Sequence, residues 1–318
     1  MASDEATTLR RMRLLLAKPR GYCAGVEMAL ASLEKALEVY GTPLYVFHEI
    51  VHNKFLIEAY QRRGVKFVND LKDVPAGATV IYSAHGVSPE IRNEAATREL
   101  NVIDATCPLV SKVHFEARHF TSEGYTTIFI GHRGHDETLG VLGEGPNNVL
   151  IVESVEDIAG LELQDDERTA FLTQTTLSVE ETAKIVETLR ERFPHIRGPR
   201  EDDICYATQN RQEAVRRLAA EADVALVIGS RNSSNSQRLA EVARAQGIKA
   251  YLIDWPDQID PQWIVEASTV LLTAGASVPE ELVVRTIDWL KNHFELVIEE
   301  RVVREEEQHF QIPVQLRV

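Results

Sequence analysis

Three stretches of the chain open in the same way: a cysteine flanked by Gly, Pro or Thr leads into an amphipathic run. They are "CAGVEMALASLEKAL" from Cys23, "CPLVSKVHFEARHF" from Cys107 and "CYATQNRQEAVRRLAAE" from Cys205, and the 318-residue chain has no other cysteine. Each is followed by a short apolar run that ends in a polar loop, "YVFHEIVHN", "IFIGHRGHDE" and "LVIGSRNSSN". A second apolar run comes later in each third, "VIYSAHGVSPE", "FLTQTTLSVEE" and "LLTAGASVPEE". Self-similarity in phase at three landmarks is the mark of a repeated supersecondary unit. Ordinary strand-loop recurrence accounts for the apolar runs. It does not account for a Cys at one phase of every third and nowhere else.

The apolar runs 44–50, 78–86, 126–134, 169–174, 223–230 and 268–277 are short and rich in β-branched residues, and they end in Gly, Ser, Gln or Ile. They are expected to be strands. Between them lie helical patterns. One runs from Val26 to Val39, with Ala29, Leu30, Leu33 and Leu37 on one face. Another runs from Ser178 to Phe193 and opens on a Ser-x-x-Glu capping pattern, Ser178 and Glu181. The expected fold is α/β: three similar units with mostly parallel sheets in pseudo-three-fold arrangement around a central cleft. The units are 23–106, 107–204 and 205–296, the last completed by an N-terminal strand at 12–22. Residues 1–11 and 297–318 are extensions, the first a short arm, the second a surface segment whose last residues dock on a neighbour. Ligands then belong at the carboxyl ends of the strands.

Charge and cysteine usage narrow the function. A formal net charge of −15 argues against general nucleic-acid binding, which needs a basic face. A small anion remains possible, because a pocket can differ in sign from the whole. Three cysteines make no disulfide framework of a secreted protein and point to a reducing cytoplasm. No run of about 18 apolar residues marks a membrane span, and the polar N-terminus is no secretory signal.

All three cysteines stand where a helix begins, a place whose N–H groups and positive potential favour a thiolate. Three converging thiolates suit a soft metal. Zinc ribbons and fingers use cysteines two to four residues apart, unlike these. An iron–sulfur cube takes four ligands, so three cysteines would leave one iron without a protein thiolate. His52, His85 and His135 sit at strand ends, with Thr175, Ser233, Ser234, Asn235 and Ser277 in comparable loops. A cleft lined by such donors is what a phosphate or diphosphate requires. Glu137, two residues after His135, is the natural proton source among them; Glu49, Asp136 and Glu144 are weaker candidates.

Nine motifs in order, "KPRGYCAGV", "HEIVHN", "SAHGVS", "DATCPLVSKVH", "GHRGHDET", "TQTTLS", "DDICYATQNRQEAV", "GSRNSSNSQRL" and "TAGASVPE", resemble the 4-hydroxy-3-methylbut-2-enyl diphosphate reductase family (IspH/LytB) from about residue 13 to 290. The resemblance implies reductive dehydroxylation of (E)-4-hydroxy-3-methylbut-2-enyl diphosphate to isopentenyl and dimethylallyl diphosphate, the last step of the non-mevalonate isoprenoid pathway. It implies a [4Fe-4S] cluster on Cys23, Cys107 and Cys205 with one open iron. It assigns substrate binding to His52, His85, His135, Thr175, Ser233, Ser234, Asn235 and Ser277, and proton delivery to Glu137 with Thr175. It further implies ferredoxin or flavodoxin as electron donor, and a monomer or homodimer. A non-redox iron–sulfur hydro-lyase and a non-catalytic cluster-based sensor are the alternatives.

Overall fold

A computed structural model of the chain describes residues 9–163, 165 and 167–317; residues 1–8 of the expected N-terminal arm lie outside them. In chain order the elements are β1 (Arg11–Lys18), α1 (Ala24–Tyr40), β2 (Leu44–Phe47), α2 (Lys54–Arg62), β3 (Val65–Val68), β4 (Thr79–Tyr82), α3 (Pro89–Thr97), β5 (Asn101–Asp104) and α4 (Pro108–Ser122). There follow β6 (Thr126–Ile130), α5 (Asp136–Leu142), β7 (Val149–Val152), α6 (Val155–Ala159), β8 (Thr169–Thr173), α7 (Val179–Arg192) and α8 (Tyr206–Ala219). The last are β9 (Val224–Ile228), α9 (Ser234–Ala245), β10 (Lys249–Ile253), β11 (Thr269–Ala274), α10 (Glu280–Lys291) and β12 (Glu295–Val302). The strands form three sheets, and every strand pair among the described residues is parallel. The α/β class with mostly parallel sheets is therefore as the strand-helix alternation requires.

By internal contacts the chain divides into two compact units. The first consists of the segment up to Tyr22 and of Asn210–Glu306. Its sheet has the order β10-β9-β11-β1-β12. β1 lies between two neighbours, with Leu14 opposite Val270 of β11 and Ile298 of β12. A strand enclosed on both sides reads as a continuous apolar run, and "LLLA" at 14–17 is that run. Leu15, Leu218, Val227, Leu239 and Leu271 pack into one buried cluster.

The second unit is Cys23–Gln209 and Glu307–Val318. It holds two sheets, β3-β2-β4-β5 and β7-β6-β8. Tyr45, Phe47, Leu71, Val80 and Tyr82 form the core beside the first sheet. Ile128, Ile130, Phe171, Ile185 and Leu189 form the core beside the second. α7 is capped as its sequence indicates, with the Ser178 side chain accepting from the Glu181 N–H.

Two expectations change. Residues 297–302, taken as the start of a terminal extension, continue β12 along its partner β1. β12 escapes a hydropathy reading because it is an edge strand with alternating exposure and four charged residues. Those charges hold it in place: Arg13 binds Glu299 through two nitrogens at 2.8 Å and also reaches Glu221, which Arg301 grips in turn. The chain end is held within its own unit. Leu316 is buried, and the 314–316 turn packs on α1 of its own chain.

Candidate active site

The three cysteines come together within the second unit. Cys23 is the N-cap of α1 and Cys107 that of α4, and in neither does the side chain cap the helix; Cys205 directly precedes α8. Each cysteine loop is tied to the end of a strand. The Cys107 N–H donates to Ala84 O at 3.1 Å and the Cys205 N–H to Thr175 O at 3.0 Å. The corresponding bond before Cys23, Gly21 N–H to Ala274 O at 3.2 Å, lies in the first unit. A sequence repeat has thus become one backbone device used three times. Gly25 is the only kind of residue its position admits. A Cβ there would stand 2.6 Å from Cys107 Sγ and 3.9 Å from Cys23 Sγ, so the helix backbone itself forms one wall of the thiol cluster.

The Cys107 thiol is not activated as the helix-start argument expects. Burial pushes Cys107 up to about 12, and the nearby charges of Cys23 and Cys205 add to it, while N–H groups at Leu109 and Val110 act in the other direction. Desolvation outweighs the helix terminus. Three thiolates this close repel one another unless a cationic group shares them. Cys205 Sγ also pairs with Thr208 Oγ1 at 3.2 Å. A soft donor set of three, a side-chain-free wall at Gly25 and mutual repulsion relieved by bound cations all fit an iron–sulfur cluster.

His52, His85 and His135 converge in the same unit. His52 stacks on His85 with ring centres 4.0 Å apart, and His135 meets both edge-on at 5.3 and 5.8 Å. Burial drives His85 well below 6.5, helped by the charges of His52, His135 and His48. Burial likewise takes His135 down to about 4. Both are therefore neutral near pH 7. His135 Nδ1 accepts from the Glu137 N–H at 3.2 Å, which leaves the neutral ring's proton on Nε2, a donor for a phosphate oxygen.

Glu137 lies in the first turn of α5 but does not face solvent; it is 1 % exposed. Thr175, just beyond β8, holds it twice: its N–H donates to Oε1 at 2.7 Å and its hydroxyl to Oε2 at 3.0 Å. Burial raises the carboxyl to about 7, against those two hydrogen bonds, and the nearby Asp203 charge raises it further. The commonplace reading of an acid at a helix start thus gives way to a poised acid. Because the Thr175 carbonyl also receives the Cys205 N–H, this acid and the thiol cluster share one loop.

Ser233, Ser234, Asn235 and Ser277 belong to the first unit, where all four are buried. Ser233 caps α9, accepting from the Ser236 N–H. Asn235 Oδ1 accepts from the Ala276 N–H at 2.8 Å, which fastens the loop after β9 to the loop after β11. Ser236 packs under both loops, and a Cβ at Gly229 or Gly275 would fall 2.1 or 2.0 Å from its Oγ.

A family model described as LytB protein matches residues 14–291. The chain belongs to the LytB family. A 4-hydroxy-3-methylbut-2-enyl diphosphate reductase of Rhodopirellula baltica is 52% identical over 306 residues, 96% of each chain. One of Streptomyces avermitilis is 50% identical over all of this chain and 94% of its own. Among solved structures, the E-1-hydroxy-2-methyl-but-2-enyl-4-diphosphate reductase of Plasmodium falciparum superposes with a TM-score of 0.92 at 35% identity, covering 97% of both chains. It supports the arrangement of three small parallel sheets. This LytB chain also uses residues that the sequence reading passed over. Lys112, on the helix that Cys107 opens, binds Asp203 Oδ1 at 3.1 Å and the carbonyls of Glu201 and Asp202, which anchors the approach to Cys205. His48, four residues before His52, meets Asp136 at 2.6 Å. Neither contact joins residues near in sequence, so no local pattern announces it.

Proposed function

We propose that this LytB chain reduces (E)-4-hydroxy-3-methylbut-2-enyl diphosphate to isopentenyl and dimethylallyl diphosphate, the closing step of the non-mevalonate (MEP/DOXP) route to isoprenoids. Near-full-length relatives at about half identity carry the name of that reductase. The observation that carries the reading is the Thr175 loop, which joins a buried, protonatable acid to a cysteine of a three-thiol cluster. Cys23, Cys107 and Cys205 would hold a [4Fe-4S] cluster with one open iron. When bound, the cluster would pass on the two electrons, one at a time, from the donor protein and would offer a Lewis-acid position for the substrate hydroxyl.

The chain's own groups supply the rest. The C–O bond breaks, two electrons and two protons are taken up, and water leaves. Glu137 gives its proton toward the departing hydroxyl. The carboxylate left behind already has two donors, the Thr175 N–H and hydroxyl, so the transfer creates no unpaired buried charge. The second proton goes to either end of the allylic system, which accounts for two products. His52, His85 and His135 would take the diphosphate, and remote binding energy would then fix the reacting carbon; Ser233, Ser234, Asn235 and Ser277 keep the substrate-binding role that the family resemblance gives them. The repeat and the three separate sheets support three units at 23–106, 107–204 and 205–296. We further place the enzyme in the cytoplasm, as monomer or homodimer, with ferredoxin or flavodoxin as donor; no helix among the described residues is long and apolar enough to cross a membrane.

Anaerobic purification followed by iron and sulfide analysis tests the reading. About four irons and four sulfides per chain are expected. Zinc alone in the cysteine site would overturn it.

A further inference from the structure

Asp136 poses a problem for any anion site built from these histidines. It is the first residue of α5, where an acid is unremarkable, but its carboxylate turns inward. One oxygen lies 3.8 Å from His52 Nε2 and 3.9 Å from His85 Nδ1. One ligand-type atom each from His52, His85 and Asp136 falls within 4.8 Å of the others. A diphosphate arriving at His52 and His85 therefore meets a carboxylate. Glu49, 3.0 Å from His52 Nδ1, adds a second acid to the same cluster. Burial pushes His85 and His135 toward the neutral form, so near pH 7 they do little to cancel either one.

His48 answers the problem. Its Nδ1 meets the other Asp136 oxygen at 2.6 Å, a separation short enough for a charge-assisted pair. The residue takes φ +59, a left-handed conformation that costs a side-chain-bearing residue free energy and gathers at functional positions. Its ring is braced on Phe47 at 4.2 Å, and its N–H is fixed to Val68 O at 2.8 Å. Burial works to raise Asp136, but the His48 hydrogen bond and charge, followed by His52 and His135, hold it below the usual carboxylate range.

We propose that His48 is a positioning residue of the anion site: by binding Asp136 at 2.6 Å it offsets a carboxylate that would otherwise repel a diphosphate. The inference rests on the proposed function only in taking the histidine cluster as the diphosphate site. His52, His85 and His135 contact the anion, and His48 acts through Asp136. A merely architectural His48–Asp136 bond would make both single substitutions harmful in the same direction. Charge compensation gives opposite signs.

The test is a two-residue cycle on the cluster-loaded protein, with inorganic diphosphate as probe in titration calorimetry and KM and kcat measured in parallel. His48→Asn suits the backbone, because Asn tolerates positive φ; thermal unfolding checks that the fold is kept. His48→Asn should weaken diphosphate binding about tenfold or more, as an uncompensated like charge does, and raise KM far more than it lowers kcat. Asp136→Asn should tighten diphosphate binding. The double variant should recover most of the affinity that His48→Asn loses. Unchanged binding by His48→Asn, or a double variant as weak as the single, overturns the inference while leaving the reductase reading intact. A wild-type protein that binds no diphosphate overturns both.

Discussion

Replacing Glu137 by Gln separates chemistry from architecture, because the two change in opposite directions. The amide has the shape of the carboxyl, and its oxygen can still accept the Thr175 N–H, so the loop that carries Cys205 keeps its anchor. What is lost is the proton. Burial lifts the native carboxyl from 4.5 to about 7, so the folded state holds this proton more tightly than the unfolded chain does. The sign follows: the contribution to stability is full below pH 4.5, declines as pH rises toward 7, and is level above. The decline amounts to on the order of 3 kcal/mol. Glu137→Gln carries no such dependence, so its stability relative to wild type should grow by on the order of 2–3 kcal/mol between pH 5 and 8. Turnover should fall by about 10²–10⁴, the usual worth of a positioned general acid. Wild-type turnover should itself decline above pH 7, approaching tenfold per pH unit as the protonated fraction falls. The assays are urea unfolding at several pH values, and anaerobic turnover at saturating substrate from pH 6 to 9 with a reduced viologen as donor. A Glu137→Gln enzyme within tenfold of wild type, with a stability difference that does not change with pH, refutes the reasoning.

Other substitutions probe the supports. Gly25→Ala drives a methyl against Cys107 Sγ, so iron per chain should fall to less than half of wild type while circular dichroism stays native. Cys23→Ser should lose the cluster and turnover together, seen as loss of the brown absorbance and of iron. Arg211 is fully buried and donates to the carbonyls of Gly21 and Tyr22 and to Glu306. Arg211→Met leaves these acceptors and a carboxylate without their cation, and should cost about 3–5 kcal/mol in urea unfolding.

The sequence is most legible where residue types are scarce and chemically distinctive. Three cysteines at one phase of a repeat announce the group of thiols, and histidines at strand ends announce the group of imidazoles, because strand periodicity already places them at the carboxyl edge. Short strands such as β3, β5 and β7 are hidden, since four residues carry little periodicity. Contacts between distant segments are hidden for a different reason. Asp136 is an ordinary helix-start acid until His48, 88 residues earlier, is seen to hold it, and Lys112 is a surface cation until Asp203 is beneath it. The direction of the Cys107 shift is hidden as well: a helix start argues for a lowered thiol, and only the degree of burial shows that desolvation wins.

Electron stoichiometry in a single anaerobic turnover tests the central claim most directly. With substrate and a titrated one-electron donor, the account predicts two electrons consumed for each substrate converted, with both isopentenyl and dimethylallyl diphosphate formed. Substrate conversion without electron uptake would place the chain among non-redox hydro-lyases, and no conversion by a fully cluster-loaded protein would leave it a sensor; either result contradicts the account.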